Sequence, residues 1–291
     1  MHTLTPVENL PDLPKRPDDA HKGTFGTVIV VGGSETMIGA PALCARAAFR
    51  GGAGLVKIAT MQEVLPHALT IEPGATGIVL SGDDHDWCQA IDQADSDSKA
   101  VLAAGPGMGL ATGGGKKVMS LLRGKRPVVL DADGLNLLAR TGRPSPKSDN
   151  AQLVLTPHPG EFMRLAQPFS ITDSPTDPAT RPQAAAKLAE AHHSTVLLKG
   201  KQTVVTDGTH LYVNQTGNPA LATAGSGDIL TGLIAALIAQ GVHAFDAAVL
   251  AAHLHGLAAD QWVKQHGPSG LRAQDLADAL PGSFQQCQAS L

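Results

Sequence analysis

Aromatic residues are nearly missing from this 291-residue chain, which has six Phe, two Trp and one Tyr, 3% of the total. Base-stacking platforms and aromatic sugar clefts therefore have little to be built from, and recognition must rest on backbone groups and small side chains. Basic runs are missing as well. No Lys/Arg run exceeds two, and 22 basic against 26 acidic residues leave a formal charge of −4, which excludes a nucleic-acid footprint. The three cysteines (Cys44, Cys88, Cys287) are odd in number, widely spaced and without a CxxC, so neither a zinc cage nor a disulfide framework is supported. Cys44, in an Ala-rich apolar stretch, reads as a small buried residue. The longest apolar window, Ile229–Ala239, is broken by Thr231 and Gly232 and falls well short of the roughly 20 residues of a membrane span. Met1–Lys22 is polar and Pro-rich with no apolar secretory core, so a reducing cytoplasm is the expected setting. What remains, 43% apolar and 16% charged, excludes disorder and suffices for a sizeable core.

Short Val/Ile-rich runs read as buried strands: Thr27–Val31, Leu55–Ala59, Gly77–Leu80, Ala100–Ala104, Pro127–Asp131, Gln152–Thr156 and Thr195–Lys199. Ala/Leu-rich segments of helical period lie between or after them, at Ala40–Arg50, Lys116–Leu122, Pro182–Ala191, Asp228–Gln240 and Phe245–Lys264. Continuous apolar strands alternating with helices predict an α/β protein with a mostly parallel sheet covered on both faces. Gln202–Thr206 and His210–Asn214, joined through Asp207-Gly208, predict an antiparallel hairpin. Pro144–Asn150 and Pro168–Pro182 read as loops. Nothing marks an internal boundary, so the expectation is an N-terminal extension over residues 1–20 and one domain over 21–291.

Four Gly-rich turns follow apolar runs, at Gly32-Gly33, Gly51–Gly54, Gly105–Gly109 and Gly225–Gly227. The dinucleotide fingerprint fails because Leu110 stands where the last Gly is needed, and the P-loop fails because Lys117 follows Lys116. Gly225-Ser226-Gly227-Asp228 differs from the rest because it opens a strongly apolar helix. Free N–H groups and the helix dipole would make Gly225, Ser226 and Gly227 an anion hole. Asp228 there is either an N-cap or a general base for phosphoryl transfer, and spacing alone leaves both open.

In Thr156-Pro-His158-Pro-Gly-Glu161, two prolines set a rigid loop that projects the His158 imidazole, for binding or merely as a strand terminus. Lys199-Gly200-Lys201 suits a nucleotide phosphate or a solvated turn. Asp131 and Asp133, at a strand end, could hold magnesium through water or cap the next helix. The pairs His192-His193 and His253/His255 point apart on their helices, so they read as structural or solvent-facing.

In order, these blocks resemble the ADP/ATP-dependent NAD(P)H-hydrate dehydratases of the ribokinase-like superfamily. The resemblance rests on His21–Gly26, Gly32–Ala40, Gly51–Val56, Gly105–Gly109, Leu130–Asn136, Thr156–Glu161, Lys199–Thr203 and Asn218–Asp228. It implies a three-layer α/β/α sandwich and a stand-alone, ADP-using hydro-lyase. The implied substrate is NADH or NADPH hydrated at C6, repaired by phosphorylation and loss of phosphate, with AMP as co-product. Asp228 is implied as the catalytic base, and Ala40, Gly107, His158 and Asp228 as contacts of the hydrated dinucleotide. Lys199, Gly200, Lys201, Gln202, Thr203 and Gly227 are implied to hold the nucleotide; Met37 and Leu110, inside or beside motifs without an obvious chemical role, read as packing. Further implications are magnesium, with its ligands unassigned, small-molecule partners without nucleic acid or membrane, and a homo-oligomer such as a tetramer. The apolar Phe245–Lys264 is the candidate interface. A ribokinase-like vitamin-precursor kinase would share the anion hole, and His158 within its motif argues against it. A catalytically silent nucleotide-binding protein is argued against by an intact Gly225–Asp228.

Overall fold

The computed structural model describes residues 4–146 and 152–290. Positions 147–150 of the expected Pro144–Asn150 loop lie outside the described residues. In chain order the elements are β1 (Thr5–Pro6), β2 (Thr27–Val31), α1 (Gly39–Arg50), β3 (Leu55–Thr60), α2 (Leu65–Ile71) and β4 (Thr76–Val79). Next come α3 (Asp84–Ala94), β5 (Val101–Ala104), α4 (Gly114–Arg123), β6 (Val128–Leu130), α5 (Ala132–Arg140), β7 (Leu153–Leu155), α6 (Pro159–Ala166) and α7 (Arg181–His192). The remainder is β8 (Thr195–Leu198), β9 (Val204–Thr206), β10 (His210–Val213), α8 (Ser226–Ala239), α9 (Ala244–His266) and α10 (Ala273–Ser290).

All described strands join one sheet, ordered β1-β10-β9-β8-β7-β6-β5-β2-β3-β4, in which β9 alone runs antiparallel to its neighbours. The alternation of a strand accounts for its two covered faces. Val28 and Val30 of β2 enter one core with α1, α8, α9 and α10, while Ile29 and Val31 enter the other with α3 to α7. The expected three-layer sandwich is observed. The hairpin β9–β10 continues the sheet edge, and Thr5 and Pro6 pair with His210 and Leu211 beyond it. Arg16 donates to the Gly52 carbonyl and its guanidinium lies 3.6 Å from the Phe25 ring centroid, so residues 4–20 lie against the body of the fold.

The central contact of the first core is α1 against α8. A side chain at Gly232 would put its Cβ 2.1 Å from the Cys44 carbonyl oxygen, so the crossing exists only because position 232 lacks one. Cys44 is fully buried in that crossing, as its apolar neighbours imply. α9 is buried on nearly every face between Ala244 and Ala259 and packs against α8 and α10. The interface expected on Phe245–Lys264 is therefore corrected: its apolar surface is spent inside the monomer. Among the described residues no helix is long and apolar enough to cross a membrane.

The strand order reverses between β2, which leads outward to β3 and β4, and β5, which leads the other way to β6. Loops diverging from such a point leave a crevice at the carboxyl ends of the strands, and ligands of open α/β sheets bind there.

Candidate active site

Five strand ends supply the crevice. After β2, the Gly33 N–H donates to the Pro106 carbonyl at 2.9 Å, and a Cβ at Gly32 would overlap that same oxygen. Gly107, at φ 63°, packs so closely that an added Cβ would lie 2.8 Å from the Met37 carbonyl and 3.0 Å from the Ala40 Cβ. Two residues expected to touch the same ligand, Ala40 and Gly107, thus meet at the switch point. Ser34 Oγ, buried nearby, has no hydrogen-bond partner among the described residues. Met37 and Leu110 are not packing: they are 40% and 42% exposed. They lie on the loops after β2 and β5 and face solvent at the crevice rather than the core.

Asp131, following β6, is 1% exposed, with both carboxylate oxygens engaged. Its Oδ1 accepts from Lys199 Nζ at 2.7 Å and its Oδ2 from Thr231 Oγ1 at 2.8 Å. Burying this charge is tolerable because an ammonium and a hydroxyl satisfy it. Asp131 starts α5 but its side chain makes no capping bond, which answers the capping alternative. Asp133 accepts the Gly109 N–H at 2.8 Å. Among the described residues no group of three or more His, Cys, Asp or Glu side chains is arranged to hold a metal ion.

His158 is the N-cap of α6. Its Nδ1 accepts from the N–H groups of Gly160 (3.0 Å) and Glu161 (3.4 Å), while Glu161 Oε2 accepts the His158 N–H at 2.9 Å. This reciprocal box places the proton of the neutral ring on Nε2, 3.5 Å from Glu161 Oε1. Burial, then the charges of Lys199 and Arg164, hold the imidazole below its ordinary range, so it is neutral at pH 7. Burial pushes Glu161 up to about 7, against the pull of Lys199, whose Nζ is 3.9 Å away. Lys199 is bound to this loop through its backbone as well, its N–H donating to the Pro157 carbonyl at 2.8 Å.

Gly225 begins α8 at φ 87° with no side-chain cap, so the first turn keeps N–H groups for an anion; Ser226 N–H alone turns back, to the Thr223 carbonyl at 3.3 Å. Asp228 is therefore not the N-cap. Its carboxylate accepts no hydrogen bond among the described residues, and burial, reinforced by Asp131, pushes it up to about 7. An added Cβ at Gly227 would lie 3.4 Å from both Lys199 Nζ and Asp131 Oδ2, so the ammonium sits directly beside this turn.

Residues 199–203 form the loop between β8 and β9. Gly200 stands at φ 144° with the Arg181 guanidinium where a Cβ would be, and Gln202 is left-handed at φ 53°. Arg181 donates to the carbonyls of Leu198 (2.6 Å) and Lys201 (2.9 Å), which shapes the loop from behind. Sequence pattern does not point to Arg181, because its partners are backbone groups 17 and 20 residues away. His255, expected to be structural or solvent-facing, is buried and holds the Gly225 turn: its Nε2 donates to the Ser226 carbonyl at 2.9 Å, and burial holds the ring down to about 4. His192 and His193 stay apart from the crevice, one buried against Ser145 and the other exposed at the end of α7.

A switch-point crevice, an uncapped helix terminus beside a lysine, and an unpaired carboxylate on that helix are set on a ribokinase-like α/β fold. A ribokinase-like superfamily protein of Enterococcus faecalis has the same fold, with TM-score 0.77 at 24% identity over 94% of this chain and 92% of its own. The sequence profile of the NAD(P)H-hydrate dehydratase family matches residues 28–282, and the chain belongs to that family. It is 40% identical over 267 residues to the ADP-dependent (S)-NAD(P)H-hydrate dehydratase of Neisseria meningitidis, covering 91% of this chain and 86% of that one. It is 41% identical to the bifunctional NAD(P)H-hydrate repair enzyme of Moorella thermoacetica over 92% of this chain, which spans about half of that protein (51%). Among solved structures, the ADP/ATP-dependent NAD(P)H-hydrate dehydratase of Bacillus subtilis, co-crystallised with ATP and Mg2+, superposes with TM-score 0.78 at 31% identity over 94% of each chain.

Proposed function

We propose that this chain is an ADP-dependent (S)-NAD(P)H-hydrate dehydratase, a carbon–oxygen hydro-lyase that restores NADH or NADPH from the form hydrated at C6. The observation that carries this reading is Asp228, an unpaired and largely buried carboxylate held near pH 7 at the mouth of an anion-binding helix terminus. Asp228 takes the proton of the C6 hydroxyl, whose oxygen attacks the β-phosphorus of ADP; the bond to the bridging oxygen breaks and AMP leaves. The lone pair of the ring nitrogen then expels phosphate with cleavage of the C6–O bond, and loss of a C5 proton restores the ring double bond. Hydroxide is a poor leaving group and phosphate a good one, which explains why a dehydration should consume a nucleotide.

Gly225 and Gly227 stabilise charge on the transferring phosphoryl group, with the Lys199 ammonium beside them, while Ser226, expected in the same anion hole, gives its N–H to the Thr223 carbonyl and shapes the turn. Ala40, Gly107 and His158 hold the hydrated dinucleotide, and Lys199–Thr203 with Gly227 hold the nucleotide. Magnesium is expected on the nucleotide phosphates, shared with water, because both Asp131 oxygens are taken and Asp133 holds a backbone N–H. The reading includes a single domain over 21–291 after an N-terminal extension, a homo-oligomer such as a tetramer, and work in the cytoplasm, where its three unpaired thiols stay reduced.

The test is incubation with hydrated NADH plus ADP or ATP in parallel, following return of absorbance at the dihydronicotinamide band. Recovery with ADP supports the reading. Lack of recovery, together with phosphorylation of a hydroxymethylpyrimidine or hydroxyethylthiazole, would assign the site to a vitamin-precursor kinase instead.

A further inference from the structure

Beside the catalytic crevice, α5 and α6 enclose a cleft of about 530 Å³ lined by Leu110, Asn136, Ala139, Arg140, Arg164 and Gln167. None of the six is acidic, two are arginines, and none belongs to the residues that carry the chemistry above. We propose that this cleft is a phosphate subsite for the hydrated dinucleotide, in which Arg140 and Arg164 grip a phosphate group remote from the nicotinamide ring. The inference rests on the reading of that dinucleotide as substrate and adds where its anionic part is bound.

Three observations carry it. The first is continuity with the substrate end of the crevice. Arg164 lies six residues beyond His158, about 9 Å of helix, and its side chain turns back toward the N-terminus. Its Nη1 comes to 3.8 Å from where a Gly160 Cβ would be, and Leu110 directly follows Gly109, whose N–H is held by Asp133. The second is donor capacity. A guanidinium has five N–H donors. Among the described residues Arg164 spends Nε on Asn136 Oδ1 at 2.8 Å, and Arg140 spends Nη1 on the Leu110 carbonyl at 2.9 Å. Those two bonds fix the orientation of each planar group and leave the remaining donors of both forks for an oxyanion, the pattern suited to bidentate phosphate recognition. The third is charge: neither arginine has a carboxylate partner among the described residues, where each donates instead to a neutral oxygen, and no acidic side chain lines the cleft. Exposed Leu110 offers an apolar wall for the ribose or base carried by such a phosphate.

A dinucleotide presents that chemistry twice, in its bridging diphosphate and, for the NADPH form, in a 2′-phosphate. The test compares wild type with Arg140→Gln/Arg164→Gln, measuring KM for hydrated NADH, hydrated NADPH and ADP. The expected result is a rise on the order of tenfold in KM for the hydrated substrate, the loss falling on KM rather than kcat, with KM for ADP unmoved. A rise for both hydrates identifies the bridging diphosphate, and a rise confined to hydrated NADPH identifies the 2′-phosphate. Arg140→Lys/Arg164→Lys, which keeps charge and loses the fork, should fall between. Unchanged KM for both hydrates, with melting temperatures equal to wild type, overturns the proposal. Calorimetric titration with intact NADPH and NADH separates the two readings. If wild type turns over no hydrate but binds NADPH and the Gln variant does not, the dehydratase reading fails and the subsite stands; if wild type and variant bind alike, the subsite fails.

Discussion

Asp228 is held near 7 by burial and by Asp131, so it titrates close to neutral pH. In the proposed role of base it must be ionised, and kcat/KM should therefore climb as pH rises through about 7. Glu161 is pushed to the same region by burial, but it is not among the groups that shift Asp228. Glu161→Gln should keep the acidic limb, whereas Asp228→Asn should lose turnover by about 10² to 10⁴ while still binding ADP in a calorimetric titration. The same shift has a stability signature. A carboxyl raised above its unfolded value favours the folded state at low pH, and this contribution is lost as pH rises from the unfolded pKa through about 7. Asp228→Asn should thus melt a few degrees above wild type at pH 8, and the gain should shrink toward pH 5. Equal melting temperatures at both pH values would contradict the burial of an ionised carboxylate. His158 caps α6, and substitution can separate that role from its proposed contact with the dinucleotide. Asn at this position can still cap α6, so His158→Asn should hold the melting temperature yet raise KM for the hydrated dinucleotide. His158→Ala should do the latter and also lose about 1 kcal/mol of cap.

At the scale of elements, the proposed anion hole is only as well placed as α8, and α8 is placed by its crossing with α1. Gly232→Ala would drive a methyl into the Cys44 carbonyl, which backbone cannot evade cheaply. Urea unfolding should show a loss of about 1–3 kcal/mol or more, and kcat should fall because the Gly225 turn moves with its helix. From the other side, α9 meets that turn through His255 and Ser226. The long apolar elements were legible in the sequence to within a residue or two: β2 and α1, and α8 and α9, follow their hydrophobic periods. Others were not, and the reasons are local. β1 has two residues, too few for any pattern; α3 opens on Asp83–Asp86, whose charges obscure its Trp87 and Ile91 stripe. α10 carries Pro281-Gly282 in its interior, residue types that disfavour a helix, although the helix continues through them. Asp133 and Asp131 looked like equivalent strand-end carboxylates until folding brought Lys199 and Thr231, 68 and 100 residues away, to Asp131 alone.

For the whole molecule, a ligand that binds only the folded state raises stability by mass action. ADP with magnesium at about a hundred times its Kd adds about 2.7 kcal/mol. The melting temperature of wild type and of Asp228→Asn should therefore rise by a few degrees alike, since the base is not a nucleotide contact in this reading; absence of the shift in both would remove the nucleotide from the site. Plentiful glycine follows from the same architecture: the loops after β2 and β5 approach one another too closely for side chains at Gly32 and Gly107, and the Arg181 guanidinium occupies the space beside Gly200. By itself the sequence determined the α/β class, the helix terminus at Gly225, the rigid Pro-flanked loop at His158 and the family, because each depends on neighbours within a few residues or on motifs in order; that His158 caps α6 came from the structure. Only the tertiary structure decided that Asp228 is an unpaired carboxylate rather than a cap, that Asp131 is committed to Lys199 and Thr231, and that Met37 and Leu110 face the crevice. Hydrogen bonding, desolvation and exposure at those positions depend on groups brought together from distant parts of the chain, and no local pattern records such encounters.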